Sequence, residues 1–304
     1  MAGPLSNWGR WGSDDELGTL NHVSALDVTA AAALVRVGKV ITLGRRIADP
    51  DGDPMWPGRH QPTKEMTRDK RSYERGEVQA RPGNVEAADD RIHMDLQGTT
   101  HVDALGHMWT DDLLWNGYPA DSTAGGLDEA SAEAIAAHGI VARAVLADIP
   151  RHRGQEHLNP NDVITLDELE ACLEAQHVAL EGHEVLCLRT GYLDHHAPAV
   201  EETNREPGLA FGSDLVEWFA AREIAAFATD TLANEPLVDE TTGRYFPLHI
   251  ELMRNLGVPF LELCDFEALA TACEEHQQCA FMFVAAPLRI VASSGSPVNP
   301  VAIL

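Results

Sequence analysis

Apolar and polar positions along the chain switch between two spacings. Arg91-Ile-His-Met-Asp-Leu-Gln97 alternates polar with apolar, the period of a strand. Successive strand side chains point to opposite faces, so Ile92, Met94 and Leu96 are expected to face a core. Gln97, Thr99, His101 and Asp103 would then share the other face, provided the strand holds that far. Short apolar runs at 39–43, 140–149, 185–189, 224–228 and 259–263 read as further strands, with 280–285 and 288–292 as a closing strand pair. Helical spacing falls between them at about 162–177, 214–221, 248–256 and 265–277. The first of these segments carries Thr165-x-x-Glu168, the pattern of a capping box that opens a helix. Strands alternating with helices predict an α/β fold, a single domain over 1–304 with a mixed central sheet flanked by helices.

Residues 49–90 interrupt this rhythm. They are polar, rich in proline and glycine, and carry a local basic run between Arg59 and Arg81. An irregular stretch of this length is uncommon inside a compact domain. Two readings stay open: a solvated surface insertion, or a lid or dimer arm in which Trp56 and Tyr73 make the contacts.

Composition narrows the function. The chain has 304 residues, 44% hydrophobic and 23% charged, with a formal net charge of −26. So acidic a molecule repels phosphate backbones, which argues against general nucleic-acid binding. No apolar run is long enough for a membrane span, and the first residues lack the basic start and apolar core of a secretory signal. Five cysteines without such a signal suggest reduced thiols and a cytoplasmic location. Cys273-x5-Cys279 is read as a pair of small buried residues and not as a zinc site, because a full ligand set is missing. Gly-x-Ser-x-Gly, Gly-x-Gly-x-x-Gly, the Walker loop and His-Glu-x-x-His are all absent.

The chemistry concentrates in Gln97-Gly-Thr-Thr-His101-Val-Asp103-Ala-Leu-Gly-His107. On a strand, His101 and Asp103 project side by side, the pairing of imidazole and carboxylate that a divalent metal requires. Gly106 permits a turn that returns His107 toward the same point. An imidazole titrating near neutrality suits proton transfer, so His107 is the candidate catalytic residue. Trp109 and Trp115 follow closely and are candidate walls for a flat ring-shaped substrate, or ordinary core aromatics.

This stretch resembles the signature of the cyclase family of metal-dependent hydrolases, His-x-Gly-Thr-His-x-Asp-x-Pro-x-His. Thr100, His101, Asp103 and His107 are in register with it. Gln97, Thr99 and Leu105 depart from its first His, its Gly and its Pro. Asn7 to Asn21, Arg189 to Tyr192, Phe227 to Asp230 and the closing Ala286 to Ala302 are similar to segments of the longer branch of that family, in the same order. The resemblance implies a kynurenine-formamidase/cyclase-like fold. It implies a metal held by His101, Asp103 and the downstream pair His249 and Glu262, with Gln97 in the remaining ligand position. An amide oxygen is a poor zinc ligand, which leaves the divalent ion as Mn²⁺ or Zn²⁺. Asp230 could orient a ligand histidine or cap a turn. The implied activity is hydrolysis of a cyclic amide, a lactone or an N-acyl bond. The alternatives are ring closure at the same site, or a decayed site that only binds a small carboxylate. We expect a small molecule as the ligand and a homo-oligomer, dimer or dimer-based, as the assembly.

Overall fold

The computed structural model describes residues 5–195, 206–239 and 241–304. A nine-stranded mixed sheet runs through the molecule. Its order is β1 (Val40–Thr42), β13 (Val301–Ile303), β11 (Ala280–Ala285), β5 (Ile140–Asp148), β7 (Val185–Arg189), β9 (Ala226–Thr229), β10 (Phe260–Glu262), β4 (His101–Asp103) and β12 (Gly295–Pro297). β5, β7, β9 and β10 are parallel to their neighbours in this series, and the flanking strands are antiparallel. The burial follows from the pairing. β7 and β9 are buried at every position, as parallel strands covered on both faces must be. β11 alternates buried with half-buried residues, as an antiparallel strand with one wetter face does. Two short pairs stand outside this sheet: β2 (Thr63–Arg68) with β3 (Asp89–His93), and β6 (Val163–Ile164) with β8 (Gly208–Leu209).

Helices cover the sheet. α1 (Ala25–Ala32) lies on β5 and β11, and α5 (Leu166–Ala175) also packs on β5. Thr165 caps α5 by accepting from the Glu168 amide at 3.2 Å, but the reciprocal half of the box does not form. The Glu168 carboxylate is taken by Arg153 instead. α7 (Ser213–Ala221) buries Phe219, which meets Phe227 of β9 edge-on, and Phe227 in turn meets Phe260 of β10. Truncating a core aromatic of this kind to alanine typically costs about 3–5 kcal/mol. α3 (Ala132–His138), α4 (Ile149–Arg153), α6 (Tyr192–His195) and α8 (Glu267–His276) complete the helical layers.

Three expectations are corrected. The strand through Arg91 does not reach the chemistry: β3 ends at His93 and pairs only with β2, a turn intervenes, and the chain enters the main sheet afresh at His101. Alternation alone does not show which side is covered, and Ile92 is exposed. The closing strand pair is not 280–285 with 288–292. Leu288 and Val291 lie exposed in an irregular crossing, and β11 pairs instead with β13 and β5. Residues 49–90 are less irregular than their composition suggests, since β2, β3 and the short α2 (Lys70–Glu74) form an exposed arm. Acidic partners within the arm meet this basic run, with Lys64 on Asp90, Arg68 on Asp89 and Lys70 on Glu86. All five cysteines are free thiols, four of them buried. Among the described residues no helix is long and apolar enough to cross a membrane.

Candidate metal centre

The site grows from strand register. Within β4, His101 and Asp103 are two positions apart and share a face, while Val102 between them is buried in the core. In the antiparallel neighbour β10, Glu262 stands directly opposite His101 and Leu261 opposite Val102. Residues opposite one another in a ladder point to the same side. The sheet therefore sorts His101, Asp103 and Glu262 onto one face and their apolar neighbours onto the other. His101 Nε2 lies 3.4 Å from Asp103 Oδ1 and 3.3 Å from Glu262 Oε2. The three side chains are buried and can each offer a ligand atom within 4.8 Å of the others.

His249 reaches the cluster from a different element. The segment His249–Asn255 winds as a π-helix, the wide turn that recurs at functional positions. Its first residue places Nε2 3.4 Å from Glu262 Oε1. Glu235 holds it there, accepting from His249 Nδ1 at 2.6 Å and from the amides of Leu248 and His249. This is the orienting role that Asp230 could have filled. Asp230 instead accepts from the amides of Thr190 and Gly191 and from the Thr190 hydroxyl, and so ties β9 to the loop after β7. Nothing local in the sequence separates these two acids. Glu235 is set apart by its contacts, since the same carboxylate also takes the amides of Leu248 and His249.

Tautomers follow from the same contacts. His101 Nδ1 donates to the Thr99 carbonyl at 2.7 Å, and His249 Nδ1 is taken by Glu235, so both rings turn Nε2 toward the carboxylates. His101 Nε2, both Asp103 oxygens and Glu262 Oε1 are buried and have no hydrogen-bond partner. Buried charged groups left in this way are costly unless something binds them. A divalent cation fits: two carboxylates and imidazole lone pairs, each histidine backed by an acceptor on its far nitrogen. Burial disfavours the charged imidazolium, but the Asp103 and Glu262 carboxylates outweigh it and push His101 up to about 9. His249 is pushed up to about 10 by Glu235 and Glu262 against the same burial. Asp103 is held well below the usual carboxylate range, since its histidine neighbours overcome its burial.

His107 returns through a tight turn closed by its amide on the Ala104 carbonyl. Gly106 in that turn is closely packed, since a Cβ there would come to 3.0 Å from the Leu127 side chain and 3.2 Å from the Ala130 carbonyl. His107 Nε2 comes to 3.9 Å from Asp103 Oδ1, and its side chain keeps 22% exposure. Burial lowers its pKa, with partial opposition from Asp103.

Gln97 is not on β4, yet its side chain comes to the ligand face. Opposite Asp103 in β12 stands Gly295, and a Cβ there would collide with Gln97 Nε2 at 2.7 Å. The Gln97 amide thus fills the space a side chain at 295 would take, one strand away from Asp103, and donates to Ser294 Oγ at 3.1 Å. Arg59, which sequence reasoning placed only in a basic run, donates to the Gln97 carbonyl at 2.8 Å. Trp115 leaves the substrate-binding set: it is fully buried, and its indole N–H donates to the Asp15 carbonyl. Trp109 is 45% exposed. Aromatic surface near the cluster comes instead from Phe246, edge-on to His249 with ring centres 5.1 Å apart, and Trp56 behind it at 5.6 Å. Phe246, Asn234 and Leu263 all adopt left-handed backbone, with φ of 46°, 53° and 58°. Such strain gathers at functional sites, and Asn234 and Leu263 adjoin Glu235 and Glu262.

A family model for Cyclase matches residues 22–236. The chain belongs to the cyclase family. It is similar to the crystal structure of a novel cyclase, with 32% identity over 99% of this chain and 98% of the other at a TM-score of 0.88. It also superposes on isatin hydrolase A from Ralstonia solanacearum, with 21% identity, a TM-score of 0.62 and coverage of 92% and 97%. An isatin hydrolase bound to the product analogue thioisatinate matches at 18% identity and a TM-score of 0.60, covering 93% and 99%. At those identities the two hydrolases speak for the fold. No curated protein matches the chain.

Proposed function

We propose that the protein is a metal-dependent hydrolase that opens a cyclic amide or lactone, or cleaves an N-acyl bond. The observation that carries this reading is the buried set of orphaned ligand atoms on one sheet face, His101 Nε2, Asp103 and Glu262 Oε1, with His249 beside them. His101, Asp103 and Glu262 would hold the ion, with His249 and Gln97 at the edge of the set. A bound divalent ion supplies two things in such a site, a lowered pKa for water and polarisation of a carbonyl.

The chain's own residues do the rest. Thr99 and Glu235 fix the two imidazoles in the tautomer that turns Nε2 inward. His107, whose pKa burial lowers, would accept a proton at Nε2 and return it to the departing nitrogen or oxygen. Phe246 and Trp56 offer an aromatic wall for a flat ring. Membership of the cyclase family favours a second use of the same groups, ring closure in the reverse direction.

The test is an activity panel of lactones, cyclic imides and N-formyl arylamines, run with and without added Mn²⁺ or Zn²⁺. It is paired with metal analysis of His101→Ala and Asp103→Ala. Metal-restored ring opening, and loss of most bound metal in both variants, are the expected results. Full metal retention in both variants would remove the ligand assignment. Bound metal without turnover across the panel would replace the enzyme by a carboxylate-binding protein.

A further inference from the structure

A second cluster of ligand-type side chains lies at the other end of the parallel strands. Glu262 closes β10 at its carboxyl end, whereas His183 stands just before β7 begins and Glu223 just before β9. The amide of His183 donates to the Glu223 carbonyl, which locks the two turns together. His183 Nε2 is 3.1 Å from Glu223 Oε2. His22, at the end of the short helical turn Gly18–His22, completes the group, with Nδ1 3.6 Å from Glu223 Oε1. One ligand atom from each of the three lies within 4.8 Å of the others.

We propose that His22, His183 and Glu223 form a second divalent-cation site, separate from the cluster on β4 and β10, of a kind that suits Zn²⁺. Two imidazoles and one carboxylate form a donor set that zinc accepts, with a fourth position left for water. The surroundings are those of a built site. Asp27 Oδ1 sits 3.3 Å from His183 Nδ1, the carboxylate–histidine pairing that turns the other ring nitrogen toward a metal. Trp11 packs edge-on against His22 with ring centres 5.0 Å apart and fixes its plane. Both His183 and Glu223 hold left-handed backbone, with φ of 67° and 49°, although neither is glycine. For Glu223 this is the left-handed residue that closes α7, with its own amide on the Ala220 carbonyl and the Ile224 amide on Phe219, so the helix end itself sets the direction of the carboxylate.

Closure needs little motion. Zinc–nitrogen bonds of about 2.0–2.1 Å draw tetrahedral ligands to roughly 3.3 Å from one another, so the set must contract. His22 is nearly buried, but the His183 and Glu223 side chains are about one-third exposed and free to follow. The Arg10 guanidinium, which pairs with Glu223 Oε1 and is 42% exposed, can swing away as the cation replaces its charge. The ion would fasten the N-terminal segment, through His22, to the turns that start β7 and β9.

The proposal is tested by zinc titration of the whole chain against His183→Ala and Glu223→Gln, both at partly exposed positions that should fold. In the native background each variant is expected to bind one zinc equivalent fewer and to lose the zinc-induced rise in melting temperature. In a His101→Ala, Asp103→Ala background one equivalent should remain, and adding His183→Ala should weaken it at least tenfold. Unchanged stoichiometry and melting shift in His183→Ala and Glu223→Gln would overturn the proposal. These readouts do not depend on turnover, so failure of the hydrolase reading would leave them intact.

Discussion

Residues within the β4 motif divide by what they touch. His101 and Asp103 face one another and Glu262, whereas His107 stands farther out with part of its ring open to solvent. His107→Ala is therefore expected to keep its metal and to lose about 10²–10⁴-fold in kcat, the usual contribution of a general acid–base group. Metal analysis beside steady-state kinetics checks this, and loss of the ion or an unchanged kcat would reject the role. Gln97 sits on the ligand face one strand from Asp103, with its nitrogen committed to Ser294. An imidazole there would bring a better zinc donor to the same space. Gln97→His should bind Zn²⁺ more tightly, and the native protein should be more active with Mn²⁺ than with Zn²⁺. Equal zinc affinity in a competition titration would leave Gln97 as a packing and hydrogen-bonding residue only. The motif was legible in sequence because its parts are local: His101 and Asp103 two positions apart on one strand, and His107 four positions further on. Glu235 was not, because its role depends on how a loop folds back on the π-helix.

Elements were legible where burial and period agree. β5, β7, β9 and β10 are short apolar runs in sequence and central strands in the fold. Pattern failed where it reports alternation without cover. Ile92 alternates correctly and still lies exposed, because β3 pairs in a two-stranded arm with no layer over it. The pairing of Glu262 with His101 was beyond any local pattern, since antiparallel register between β10 and β4 is a property of the assembled sheet. The arm itself carries Met66, Val85 and Ile92 exposed and contributes little to the core. Replacing 63–93 by a short glycine linker is expected to leave metal content intact and the melting temperature within a few degrees. It should lower the oligomeric state, as measured by light scattering, if this arm joins copies of the chain. An unchanged oligomer would return the arm to the role of a surface insertion, and loss of the fold would show that it supports the body.

For the whole molecule, the charge carried by the metal centre couples to pH. Free in solution, a histidine titrates near 6.5. In the folded, metal-free chain the carboxylates push His101 up to about 9 and His249 up to about 10. A histidine whose folded pKa is raised stabilises the fold fully below its unfolded value, and that stability is lost as pH rises through the folded value. The chelated protein should therefore lose stability steadily between about pH 7 and pH 10, as the two protons leave and Asp103, Glu262 and Glu235 remain uncompensated. A bound cation takes the place of those protons and is not removed by rising pH in this range. Its affinity should increase over the same window, because each ligand histidine must shed its proton before it can donate. The melting temperatures of chelated and metal-loaded protein are thus expected to diverge from pH 7 to pH 10, with the loaded form the flatter of the two. Parallel curves would mean that His101 and His249 are not the groups the cation replaces. In His249→Gln the divergence should shrink and begin to level near pH 9, the value set by His101 alone, which separates the two histidines in a single series of melts.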